Sequence, residues 1–167
     1  MKALKFILIL FTVTVCSQNP IQKGNIDNYC GIYEYIYPDN TPGLIENHFI
    51  IISKIDNRLM GLYYGTSDEF DEAREGYLPA FFVSKMDSIE LNNDTLKFIL
   101  NVHNIDFLTK AVDLRFKSTK EAIKAGYRNW ENKIPTTPKR YQGVFLDNRT
   151  IFFKGEQDFL SKTFKKK

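Results

Sequence analysis

The chain has 167 residues, of which 43% are hydrophobic and 14% aromatic, with 23 basic and 20 acidic side chains. That length suits one domain with a sizeable core. The charge balance excludes the broad basic face a nucleic-acid binder needs, and two cysteines, Cys16 and Cys30, are too few for a disulfide framework.

The N-terminus, "MKALKFILILFTVTVCSQN", has Lys2 and Lys5 followed by an uncharged run from Phe6 to Val15. A charged n-region ahead of a short apolar h-region is the layout of a secretory signal, and the run is too short to span a bilayer. Val15 and Ser17 fit the positions preceding a signal-peptidase cut, which predicts a signal peptide over 1–17 and a mature chain over 18–167. The competing outcome is a lipoprotein acylated at Cys16, although Val15 stands where a lipobox has a small residue. Cleavage removes Lys2 and Lys5 and leaves a mature chain near neutrality, with 21 basic against 20 acidic residues. The expected location is therefore exported, whether periplasmic, envelope-bound or extracellular. Membrane contact is expected only through a lipid on Cys16.

"GIYEYIY", from Gly31, reads as the first strand. Its alternation leaves open whether Glu34 shares the buried face with Ile32 and Ile36 or whether the tyrosine face points inward. Cys30, just before it, reads as a structural thiol. In "HFIIISKIDNRLMGLYYG" the dipeptide Asp56-Asn57 sits between two β-rich runs, and both residues tolerate the positive φ of a tight hairpin. A two-residue turn there pairs Ile55 with Arg58, so Ile50 faces Tyr63, Phe49 faces Tyr64 and His48 faces Gly65. Both faces of that hairpin are apolar, which predicts burial on two sides, with a helix from residues 118–125 as one cover.

The next stretch, "GTSDEFDEAREGY", holds five carboxylates between Asp68 and Glu75. Thr66 and Glu69 have capping-box spacing, the acids favour a helix N-terminus, and Gly76 supplies a stop, so the stretch reads as a short surface helix over 67–75. "AFFV" and "SIELNNDTLKFILNV" follow as strands. In the latter, Leu96, Phe98, Leu100 and Val102 share one face opposite Lys97 and Asn101. Val112, Leu114 and Phe116 alternate in the same way and predict another strand. "STKEAIKAGY" places Ser118 and Glu121 in capping-box spacing ahead of Gly126, which predicts a second helix. A loop carrying Trp130 leads to "YQGVFLDNRTIFF", with a turn at Asp147-Asn148. The closing lysines, Lys162 and Lys165 to Lys167, read as a frayed, solubilising end. The whole predicts a mainly β protein, an antiparallel up-and-down barrel or a sandwich of about eight or nine strands, with two short helices.

No constellation carries an evident chemistry. The acidic stretch fails the EF-hand pattern and has no neighbouring His or Cys for a transition metal, so neither a metal nor another cofactor is expected. G-x-S-x-G, H-E-x-x-H, P-loop and Rossmann patterns are absent, and no catalytic residue is assigned. His103 follows a polar strand face and reads as solvated. His48 gathers more interest, since the hairpin register sets it on the face of Tyr63 and next to the acidic stretch.

At "CGIYEYIY" the chain resembles the lipocalins and the wider calycin group, whose members open their barrel with Gly-x-Trp. Gly31 matches, Tyr33 stands in place of the tryptophan, and Arg140 or Arg149 would take the part of the basic residue that covers the ring. The resemblance implies a closed barrel around a small apolar or amphipathic molecule, with aromatic lining from Phe and Tyr. The ligand-facing residues expected on this reading are Tyr33, Tyr35, Tyr63 and Phe98, with His48 and Glu69 at the rim. An envelope protein-interaction module with a filled core is the alternative. A small hydrolase or isomerase using His48 and a carboxylate is the third.

Overall fold

A computed structural model describes residues 26–35, 48–71, 76–101, 107–129, 138–155 and 161–167, with only the backbone of 67–71 and 76–79. Residues 1–17, expected from the sequence to be a signal peptide, together with His103 and Trp130, lie outside the described residues. A 3-10 turn, Ile26–Tyr29, leads into eight strands: β1 Gly31–Tyr35, β2 Phe49–Ile55, β3 Arg58–Asp71, β4 Gly76–Asn92, β5 Thr95–Leu100, β6 Lys139–Asp147, β7 Thr150–Phe153 and β8 Lys162–Lys166. Each strand pairs antiparallel with the next, and β8 pairs with β1, so the sheet closes as an up-and-down barrel and not a sandwich. Closure gives each of the eight strands a hydrogen-bonded neighbour on both sides.

The hairpin register follows from turn chemistry. Asp56 and Asn57 take φ of 49° and 60°, as do Asn93 and Asp94 at 45° and 62°, the left-handed pair that a two-residue turn requires. Phe49 therefore pairs with Tyr64, Ile50 with Tyr63 and Ile55 with Arg58, as the sequence predicts. The third turn is centred one residue later than expected, on Asn148-Arg149. There the Asp147 carboxylate accepts the Arg149 N–H at 2.7 Å, an Asx-type closure that needs no positive φ.

Period two divides the side chains into two cores. Tyr33, Ile50, Ile52, Tyr63, Phe82, Leu96, Phe98, Phe145, Ile151 and Phe164 fill the barrel. Tyr64, Phe81, Val83, Leu108, Val112 and Ala122 form a second cluster outside it, joined by Phe49, Ile51 and Leu62. Both faces of the β2–β3 hairpin are thus covered, and the helix α1, Thr119–Lys124, supplies part of the outer cover. Ser118 caps α1 by accepting the Glu121 N–H, and Gly126 at φ 92° ends it.

The β4 edge above β5 is satisfied by the chain that covers it. β5 reaches β4 only as far as Met86. Beyond it Phe81 exchanges both backbone hydrogen bonds with Leu108, at 2.9 and 2.7 Å. The buried Thr119 hydroxyl accepts the Val83 N–H and lies 3.1 Å from the Val83 carbonyl, to which it donates.

Three expectations are corrected. The first part of the acidic stretch is not helical: residues 67–71 continue β3, with Ser67 paired to Ala80 and Asp71 to Gly76, and 72–75 lie outside the described residues. A nine-residue helix is marginal alone, whereas "GYLPAFFV" offers residues 67–71 a β-rich partner, so the ladder overrides the cap signals there. α1 is accordingly the one α-helix among the described residues. Val112 to Phe116 is not a strand but an irregular segment on the outer cluster, where the Tyr64 hydroxyl donates to the Phe116 carbonyl at 2.6 Å. The closing lysines are not frayed, since Lys162–Lys166 is the strand that closes the barrel.

Candidate functional site

The ends of the barrel differ. At the end carrying the three tight turns, the 3-10 turn lies against the barrel and Tyr29 donates a short hydrogen bond to Asp94 on the β4–β5 turn. Tyr33 is fully buried there. Its hydroxyl donates to the Tyr29 carbonyl at 2.8 Å, and its ring meets Phe145 edge-on at 5.8 Å. The cation over this ring is Lys166 of β8, with Nζ 5.8 Å from the ring centroid, and not Arg140 or Arg149. Arg140 pairs with Ile99 on the far wall, and both arginines are exposed. Gly31, at φ 154°, lies against the Lys166 stem, where a Cβ would collide with Cε. Burial pushes the Tyr33 phenol up to about 12. These residues close the base, so Tyr33 belongs to the plug and not to a chamber with the other candidates.

The tyrosine face of β1 points inward. Glu34 faces out and pairs with Lys167, Nζ to Oε2 at 3.0 Å. Cys30 donates to the Ile26 carbonyl at 3.6 Å, and burial followed by the nearby Asp27 raises its thiol, as fits a structural residue.

The upper half of the barrel brings together Tyr35, His48, Tyr63, Tyr141 and Lys162. His48 is not at a solvated rim but 6% exposed, with its ring 6.1 Å from that of Tyr63 and 5.9 Å from that of Tyr35. Its Nε2 accepts the Thr66 N–H at 3.2 Å. Its Nδ1 lies 3.4 Å from the Tyr63 hydroxyl and 3.3 Å from Lys162 Nζ. Burial, then the Lys162 charge, lowers its pKa to about 3, so the imidazole is neutral at ordinary pH. The Lys162 ammonium also stands 5.5 Å over the Tyr35 ring.

Below this group lies a packed aromatic floor. Tyr63 is stacked on Phe82 at 6.0 Å and meets Tyr141 at 5.6 Å. Phe98 stacks nearly parallel on Tyr141, at 5.0 Å and 9°, and Phe153 meets both edge-on. Burial raises the Tyr63 phenol well above its ordinary value, with Tyr141 and Tyr35 adding to it, so these three phenols are close neighbours. Tyr63 and Tyr141 therefore remain protonated at neutral pH.

The structure therefore joins Tyr35, His48 and Tyr63, with Phe98 beneath them. Glu69 lies on the part of β3 that runs beyond β2, opposite Leu78, and its side chain is outside the described residues. Lys162 and Tyr141 were missed by sequence reasoning. The signal for Lys162 was present: in "KTFKK" the period of two sets Lys162, Phe164 and Lys166 on one face, and Phe164 is buried. Among the described residues no group of three or more His, Cys, Asp or Glu is placed to hold a metal ion. Compared with protein-family models, curated proteins and solved structures, the chain has no match.

Proposed function

We propose that this protein is an exported carrier that holds a small amphipathic molecule in the upper half of its barrel. The observation that carries the reading is the joining of Tyr35, His48, Tyr63, Tyr141 and Lys162 on the inner wall, above a floor of stacked rings. A few fixed polar groups against aromatic surface are what a small-molecule site consists of, and a barrel of eight strands is wide enough for side chains or for one small ligand. The likeness to lipocalins supports the same reading through Gly31, Tyr33 and the cation over its ring, which here comes from Lys166.

The aromatic floor favours one alternative, a filled-core interaction module, because Tyr63, Phe82, Phe98 and Tyr141 already touch one another. Native mass spectrometry of the full chain, purified from cells that express it, separates the two. The carrier reading expects a reproducible added mass of small-molecule size, lost in Tyr63→Ala. A bare polypeptide mass, together with no uptake of the neutral apolar dye N-phenyl-1-naphthylamine, would transfer the assignment to the filled-core module.

A further inference from the structure

The charge of the protein is unevenly placed. Residues 107–129, which cover the outer faces of β2, β3 and β4, hold six cations, Lys110, Arg115, Lys117, Lys120, Lys124 and Arg128, against two acids, Asp113 and Glu121. All six cations are exposed. The rest of residues 18–167 holds 15 basic against 18 acidic side chains, so the positive charge gathers on this one segment. The segment is fixed to the sheet by the Phe81–Leu108 pair, by Thr119 on Val83 and by the Tyr64 hydroxyl on the Phe116 carbonyl. α1 buries Thr119 and Ala122, and the helical period then turns Lys120 and Lys124 together to the solvent side. Both acids are engaged within the segment: Asp113 accepts the Arg115 N–H at 2.9 Å and Glu121 the Lys117 N–H at 2.7 Å. Lys110 stands 4.2 Å over the Tyr127 ring and Arg115 4.8 Å over the Phe116 ring, and these two half-buried rings meet edge-on at 5.4 Å.

We propose that this narrow basic ridge docks the protein on a membrane surface of anionic lipid headgroups. The contact needs no lipid on Cys16 and is independent of the carrier reading. Juxtaposed cations lower their energy against a surface of opposite charge, and each adds to the attraction. Charges held outward over half-buried rings are also the arrangement of side chains at the headgroup level of a bilayer. A flat surface meets the ridge alone, whereas a polyanion wrapped around the barrel would also meet its net negative remainder. Export, expected from residues 1–17, brings the chain to such a surface.

The test is sedimentation with vesicles of phosphatidylcholine alone and of equal parts phosphatidylcholine and phosphatidylglycerol, at low and at physiological salt. The full chain carries Cys16→Ser throughout, so that no lipid on that residue contributes. Binding to the anionic vesicles is expected to be at least about tenfold tighter and to weaken as salt rises. Lys120→Gln with Lys124→Gln, both on the exposed side of α1, should weaken it by about tenfold. Lys97→Gln with Arg140→Gln, the same loss of charge on β5 and β6, should leave it unchanged. Equal binding to the two kinds of vesicle would overturn the proposal. Equal losses in the two double variants would also overturn it, since the contact would then follow net charge and not the ridge. Tighter binding to a DNA duplex than to the anionic vesicles would overturn the lipid surface in favour of a polyanion.

Discussion

Lys162 and His48, 114 positions apart in the chain, meet with Nζ 3.3 Å from Nδ1 inside the barrel. The contact exists because β8 pairs with β1, and β1 in turn with β2, so the last strand and the second share one inner wall. It also keeps His48 neutral, since burial and a neighbouring cation both oppose its protonation.

That neutrality gives stability a pH dependence of known sign. Unfolded, His48 takes up a proton near its ordinary value of 6.5, and folded only near 3. The unfolded state binds more protons between those values, so stability is intact above pH 6.5 and falls as the pH drops toward 3. The slope has a ceiling of about 1.4 kcal/mol per pH unit for one proton. Urea unfolding between pH 6.5 and 5, above the range of ordinary carboxylates, should show this loss in wild type and a flatter profile in His48→Gln. Parallel profiles would place the His48 ring in a solvated setting.

The base plug predicts a graded response at Tyr33. Tyr33→Ala removes a fully buried ring and should cost about 3–5 kcal/mol in chemical unfolding. Tyr33→Phe keeps the ring against Phe145 and loses the hydroxyl's hydrogen bonding to the Tyr29 and Asn148 carbonyls, for about 1 kcal/mol. Similar losses in the two variants would mean that the hydroxyl, not the ring, closes the base.

Gly143 pairs directly with Phe153, whose ring lies across the bare backbone. A Cβ at Gly143 would approach the ring to 2.6 Å, so Gly143→Ala must displace Phe153 from its edge-on contacts with Phe98 and Tyr141. The expected destabilisation is about 1–3 kcal/mol, read from the midpoint of urea unfolding. Added Phe153→Leu should recover part of it, because the smaller side chain vacates the space.

Thr119 does for β4 what a neighbouring strand does elsewhere. Thr119→Val keeps the shape and removes the acceptor for the buried Val83 N–H, for an expected loss of about 1–3 kcal/mol. Hydrogen exchange at the Val83 amide should accelerate more than exchange at Leu96 in β5. Unchanged protection at Val83 would show that another group serves that edge.

The amino-acid sequence by itself determined the antiparallel class, the β2–β3 register, the double burial of that hairpin and the helix that covers it. These rest on local chemistry: residues that accept positive φ at Asp56-Asn57, a period of two in the strands and the Ser118 cap. Only the tertiary structure decided that residues 67–71 become strand, because a β-rich partner alongside them outweighs a helix signal that acts within one turn. Barrel closure likewise turned two of the four closing lysines inward, Lys166 onto Tyr33 at the base and Lys162 beside His48 above. Alternation tells which residues of a strand share a face, but not which face becomes the interior or which strands meet when the sheet closes. Those follow from the burial of the whole sheet at once, and that burial brought His48, Tyr63 and Lys162 to one point.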